Sequence, residues 1–266
     1  AGLPNVVHSF GGRLPAHRVA SAQEWVAPLW EARRLEPEPY CGAYRHLYLD
    51  ICPPSLQAGP AAHLPEVQAL RPGAFATGEE QPLPDWVADP GRSPAPLVYV
   101  TFGTVFNERP EVIATVVEAL RDLPVRVVAT VGPMLDPARL GPQPDHVHVA
   151  GYIPQTQVLA HCSAVVSHAG SGTFLAAVAE GLPQLCLPQA ADQFANAAAC
   201  ARSGAGLALQ PGEVTVQGVR AAAGRLLAEA SFRTAAARLA AELRAMPDPS
   251  EVAAVLAARF GPAART

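Results

Sequence analysis

The chain has 266 residues, half of them hydrophobic and 16% charged, and a formal net charge of −4. That length sets a prior of about two domains with a sizeable core, and the mild acidity leaves no electrostatic footprint for nucleic acid. No uninterrupted apolar run reaches the roughly 18 residues of a membrane helix, so the sequence is expected to be cytoplasmic with no integral membrane segment. All 19 basic residues are Arg, which excludes lysine Schiff-base chemistry and the lysine-bearing phosphate loop. The five cysteines, Cys41, Cys52, Cys162, Cys186 and Cys200, show no Cys-x-x-Cys spacing. They are expected to be free thiols, with neither a disulfide framework nor a zinc site.

In chain order, the sequence opens on Ala1-Gly2-Leu3-Pro4 and reads as starting inside something longer. Val6 to Phe10 is predicted as a buried strand, and an amphipathic helix is predicted near Ala20 to Arg34. Residues 1–72 hold one or two short strands in all, with a Pro-rich end that includes Pro53-Pro54, too little for a whole doubly wound domain. Residues 73–96 are proline-rich with Trp86 as the main apolar anchor, the composition of an interdomain linker. Strands and helices then alternate: Leu97 to Thr101, Pro110 to Arg121, Val125 to Thr130, His146 to Ala150 and Pro154 to His161. A central strand and helix follow at 164–180, then strand Gln184 to Leu187, helix Gln193 to Arg202 and a short strand at Gly206 to Leu209. Helices near 215–229, 231–245 and 249–260 close the chain. This order predicts an α/β fold with an open parallel sheet covered on both faces. Ligands of such sheets bind beyond the carboxyl ends of the strands.

The turns at those ends carry the chemistry. The central one, His168-Ala169-Gly170-Ser171-Gly172-Thr173, joins a β-branched run to a helical run. Backbone N–H groups at a helix N-terminus lack intrahelical partners and carry about +0.5 charge. Glycines let a ligand approach them, and Ser171 and Thr173 add hydroxyls, so the stretch is suited to phosphate oxygens. A dinucleotide fingerprint would need a third glycine where Leu175 stands. Taken alone, His168 could equally be a satisfied cap, Thr104 a turn hydroxyl, Tyr152 an edge aromatic and Asp192 an N-cap. Asp192 and Gln193 are also groups that read hydroxyls. What raises all of them is their shared place at one sheet edge.

Residues 97–245 resemble the second domain of nucleotide-sugar-dependent glycosyltransferases of the GT-B fold, closest to the bacterial enzymes that decorate natural products. The matching positions are Tyr152-Ile153-Pro154-Gln155, His168 to Thr173, Gly181-Leu182-Pro183, Pro188, Asp192-Gln193-Phe194 and Asn196, in order over about 45 residues. The resemblance implies four parts: residues 1–72 as the end of the N-terminal acceptor domain, 73–96 as linker, 97–246 as the nucleotide-sugar donor domain, and 247–266 as a helix returning to the first domain. It implies that Thr104, His168, Gly170, Ser171, Gly172 and Thr173 hold the donor diphosphate. Tyr152 would stack on the base, with the Ile153 backbone at its edge and Gln155 near the ribose, while Asp192 and Gln193 would hold sugar hydroxyls.

The chain departs from the related plant pattern in three places. Tyr152 replaces a Trp, and Ala176 replaces a ribose-reading Glu, which favours a thymidine donor over a uridine one. The family's general base, a His in the first domain, has no matching residue; His8, His17, His46 and Asp50 do not fit its motif. The expected activity is therefore inverting transfer of a deoxyhexose from a nucleoside diphosphate sugar to a small hydrophobic aglycone. No catalytic residue is identified on this chain beyond His168 as leaving-group stabiliser, and no metal or other cofactor is expected. The alternatives are a non-catalytic nucleotide-sugar-binding fragment or partner subunit, a sugar-nucleotide epimerase, and, least supported, a nicotinamide dehydrogenase.

Overall fold

Short β-branched runs and helical runs alternate along the chain, and the computed structural model turns them into two units, Ala1–Gly73 with Arg244–Thr266, and Ala74–Leu243. The described residues are 4–64, 66–73, 83, 85–88, 94–103, 110–132 and 135–261. Thr104 lies outside them, as do most of residues 73–96 and the side chain of Trp86.

The first unit begins with β1 (Val6–His8), α1 (Ala16–Glu31), β2 (Leu47–Asp50) and β3 (Val67–Ala69). The strands form a parallel sheet in the order β1-β2-β3. β2 is buried along its whole length. The expectation of a buried strand at Val6 to Phe10 is corrected: β1 ends at His8, Val6 is 38% exposed and Phe10 is 79% exposed. Among the described residues β1 pairs with β2 alone, and Phe10 lies beyond the strand's end. The helix expected at Ala20 to Arg34 starts four residues earlier, directly after Pro15, and runs past an internal Pro28.

The second unit contains α2 (Asp85–Ala88), β4 (Leu97–Thr101), α3 (Pro110–Arg121), β5 (Arg126–Thr130) and β6 (Val147–Ala150). It continues with α4 (Gln155–Leu159), β7 (Ala164–Ser167), α5 (Ser171–Ala179), β8 (Gln184–Cys186) and α6 (Gln193–Ser203). β9 (Gly206–Ala208), α7 (Val216–Ala228) and α8 (Ala230–Arg244) complete it. Six strands pair in parallel in the order β6-β5-β4-β7-β8-β9.

Alternation along each strand splits the core between two faces, as the period of two requires. Val98, Val100, Val127 and Ala129 pack with Ile113, Val116 and Leu120 of α3 and with Val219 and Leu226 of α7. Leu97, Tyr99, Val128 and Val165 pack with Val158, Leu159, Ala177, Leu182 and Val87. Each such aliphatic side chain contributes roughly 1.5–3 kcal/mol of transfer free energy, so the sheet is a rigid platform for the turns above it. The strand order reverses between β4 and β7, whose Thr101 and Ser167 are register partners. That reversal opens a crevice at the strands' carboxyl ends.

α9 (Pro249–Phe260) belongs to the first unit. Its start is held by a reciprocal cap in which Asp248 accepts from the Ser250 and Glu251 N–H groups and Glu251 accepts from the Asp248 N–H. Val252 buries against Leu47, Leu49 and Leu70 of the small sheet.

Candidate functional site

The site is built on the turns that leave β4 and β7 at the reversal. His168 follows β7 directly and is 8% exposed. Burial pushes its pKa below the ordinary histidine value, opposed by the Thr101 backbone and by the Asp192 charge. Its Nδ1 is buried and finds no partner among the described residues. Two glycines make its slot. A Cβ on Gly103 would stand 3.0 Å from the ring Cε1, and one on Gly170 would stand 2.4 Å from Nε2. Gly103 also takes a φ of 72°, which a side chain would oppose.

α5 starts immediately after. Its N-cap is Gly170, which offers no side-chain cap, and the first helical bond runs from the Phe174 N–H to the Gly170 carbonyl at 2.9 Å. The N–H groups of Ser171, Gly172 and Thr173 therefore have no helical acceptor. Gly172 is exposed, and a Cβ there would meet nothing within 4 Å. A positive helix end, open backbone and a buried imidazole thus converge at one point.

The hydroxyls of that first turn are engaged within the chain. The Ser171 hydroxyl is buried and donates to Asp192 Oδ2 at 2.6 Å. Thr173 donates to Gln155 Oε1 at 2.9 Å, which ties α5 to the first residue of α4. Gln193 is 1% exposed, and its Oε1 accepts from the Gln189 and Ala190 N–H groups at 2.7 and 2.9 Å. That oxygen braces the loop leading to Asp192. Asp192 itself is half-buried and begins α6 without a side-chain cap.

Tyr152 leaves the end of β6 and is 55% exposed, while the adjacent Ile153 is 8% exposed and belongs to the core. The structure therefore brings His168, Gly170, Ser171, Gly172, Thr173 and Asp192 together, links Gln155 to them through Thr173, and leaves Tyr152 with an open ring at the same sheet edge. Thr104 falls outside the described residues. Gly103 and Asn196 belong to the site although the sequence reading gave them no role. Asn196 is already among the positions that carry the resemblance, and it stands four residues after Asp192 on one helix, a spacing that puts both on one face.

Among the described residues no group of His, Cys, Asp and Glu could hold a metal, and no helix is long and apolar enough to cross a membrane. The five cysteines are free thiols.

Residues 114–258 match the family described as "Erythromycin biosynthesis protein CIII-like, C-terminal domain". The elloramycin glycosyltransferase ElmGT of Streptomyces olivaceus is 37% identical over 98% of this chain and 64% of its own length. The solved spinosyn rhamnosyltransferase SpnG superposes with a TM-score of 0.82 at 32% identity, covering 96% of this chain and 67% of SpnG. Its complex with thymidine diphosphate gives a TM-score of 0.79 at 29% identity, covering 96% of this chain and 67% of the other. The chain spans 64% and 37% of the length of two of the relatives it matches.

Proposed function

The chain belongs to the erythromycin biosynthesis CIII-like family of antibiotic glycosyltransferases, and from that premise we propose that it supplies the donor-binding half of a natural-product glycosyltransferase. One observation carries the reading: the uncapped start of α5, with Gly172 exposed, shares the sheet reversal with the buried His168 imidazole. The donor is a thymidine diphosphate deoxysugar. The relatives named as desosaminyl, rhodosaminyl and 2-deoxy-L-fucose transferases are consistent with a deoxysugar. SpnG has been solved with thymidine diphosphate, and Ala176 stands where the plant pattern has its ribose-reading Glu.

In the proposed reaction an acceptor hydroxyl oxygen attacks the anomeric carbon, inverts it and loses its proton to a base that no described residue is assigned to be. The bond from that carbon to the diphosphate oxygen breaks, and the electron pair leaves with the diphosphate. The growing charge meets the N–H groups of Ser171, Gly172 and Thr173 and the His168 ring, dipoles already aimed before reaction. With these groups stabilising the leaving group, the reaction is proposed to run without a metal, so chelation should leave turnover unchanged. Asp192 is the proposed reader of the sugar hydroxyls. The Gln193 carbonyl is engaged by the loop, which leaves its amide nitrogen for that task. The acceptor is a small hydrophobic aglycone. A cytoplasmic setting completes the reading, since free thiols persist in reducing compartments.

Calorimetric titration tests the proposal. Thymidine diphosphate is expected to bind more tightly than uridine diphosphate, and NAD not at all. Equal binding of all three, or of none, would remove the donor assignment.

A further inference from the structure

Asn196 lies in the first turn of α6 and is 4% exposed. Its Nδ2 stands 2.9 Å from the Ala169 carbonyl oxygen, 3.1 Å from Ser171 Oγ and 3.1 Å from Asp192 Oδ2. A carbonyl and a carboxylate can only accept, so the amide must present its nitrogen to them, and the neighbours fix its orientation. The Ser171 hydrogen is already given to Asp192, so Ser171 meets Asn196 with a lone pair. The amide has two hydrogens. One serves Ala169, and the other is shared between Ser171 and Asp192.

Two loops therefore meet on one nitrogen, the turn from β7 into α5 and the loop from β8 into α6. Both carry backbone that resists its own geometry. Ala169 has a φ of 62° and Ala191 a φ of 53°, the left-handed region that alanine seldom adopts. They are the two described non-glycine residues of the second unit with such values, and they flank His168 and Asp192 directly. Strained backbone persists only where its surroundings over-determine it. At Ala169 the surroundings are the Ser167 hydroxyl, which accepts from the Ala169 N–H at 3.1 Å, and the Asn196 amide on the carbonyl side.

We propose that Asn196 is a positioning residue for the reaction: it pins the left-handed turn at Ala169 and thereby holds the His168 ring and the start of α5 at a fixed place relative to the Asp192 carboxylate. Phosphate seat and sugar reader then act as one body, and a donor that touches either is aligned with both. The consequence for donor binding rests on the glycosyltransferase reading. The geometric part does not.

The experiment follows the His168 imidazole by NMR titration in the ligand-free chain and the affinity for thymidine diphosphate by calorimetry, in the wild type, Asn196→Ala and Asn196→Asp. Asn196→Ala is expected to move the His168 titration up towards the ordinary histidine value, as the loosened ring meets water. It should weaken nucleotide binding about tenfold, the size of one lost buried hydrogen bond. Asn196→Asp sets a second carboxylate against Asp192. Its affinity relative to the wild type should be poorest at neutral pH and recover on acidification, when the pair shares a proton and one carboxylic acid again donates. A residue that merely fills space would not give that recovery. An unmoved His168 titration together with an unchanged affinity in Asn196→Ala overturns the proposal. If Asn196→Ala does not fold, a pH-independent ratio in Asn196→Asp overturns it. If the wild type binds no nucleotide, the donor reading falls, and the ligand-free His168 titration still decides for or against Asn196.

Discussion

Asp50 in the first unit and His168 in the second are both buried polar side chains at the end of a parallel strand, and they are treated in opposite ways. Asp50 is 2% exposed and its carboxylate is fully engaged within the chain. It accepts from Arg13 Nε at 2.7 Å, from Gln57 Nε2 at 2.8 and 3.0 Å and from the Cys52 N–H at 3.0 Å. His168 is 8% exposed, and its Nδ1 has no partner among the described residues. A buried group satisfied by its own chain holds a fold together, whereas a ring set beside an open helix start keeps bonding capacity that a ligand can use. The first cluster is scaffold. The second is the candidate for chemistry.

The sharpest way to break that contrast is to remove each group and read both stability and binding. Asp50→Ala strands Arg13 and Gln57, and breaking a buried pair costs about 3–5 kcal/mol, here towards 3 because water reaches the partner. The Arg13 side chain is 20% exposed. Chemical denaturation should show that loss, while nucleotide affinity in the fraction still folded stays put. His168→Ala should do the reverse, leaving the denaturation midpoint within error and weakening thymidine diphosphate about 10–100-fold, the size of a charge-assisted hydrogen bond. If His168→Ala unfolds the protein and spares binding, the contrast is inverted and the imidazole is scaffold as well.

pH sharpens the same point. Burial holds the His168 pKa below its ordinary value of 6.5. The unfolded chain therefore binds more protons as pH falls below about 6.5, and this group subtracts stability on acidification. Binding has the opposite sign. A diphosphate beside the ring favours imidazolium and raises its pKa, so the complex takes up a proton. Affinity should then rise as pH falls from about 8 to 6, by at most tenfold per pH unit for one proton. His168→Gln should flatten that slope to the nucleotide's own titration. A parallel slope in the variant would mean that the ring does not touch the phosphates.

Much of this arrangement was legible in the residues, and what was not has identifiable causes. The alternation of short apolar strands with helical runs from Leu97 onward pointed to a parallel sheet covered on both faces. The turns at the strand ends could be located, since Gly103 and Gly170 are punctuation that a helix or strand would reject. Exposure in the first unit was not legible: Val6 and Phe10 are apolar, yet both are exposed in the structure. Nor were the engagements of Ser171 and Gln193, whose hydroxyl and carbonyl turn inward to Asp192 and the loop at Gln189. A polar side chain announces its capacity for bonds in the sequence, and only three dimensions reveal who takes them. The left-handed alanine at 169 was hidden for the same reason, since nothing in an Ala codes for positive φ, and Asn196 supplies the constraint from 27 residues away.

The smallest expected effect separates the two ends of the donor. Tyr152 is 55% exposed and lies on the turn after β6, apart from the seat at α5. If its ring stacks on the base, Tyr152→Ala removes about 0.5–1.5 kcal/mol, a two- to tenfold loss in thymidine diphosphate affinity. Inorganic pyrophosphate has no base, so its affinity should be identical in wild type and variant. His168→Ala must weaken both ligands, because both carry the phosphates. The pair of ratios therefore assigns each residue to one end of the nucleotide without any appeal to turnover. A Tyr152→Ala variant that loses pyrophosphate as readily as the nucleotide would show that the tyrosine shapes the phosphate seat and does not read the base.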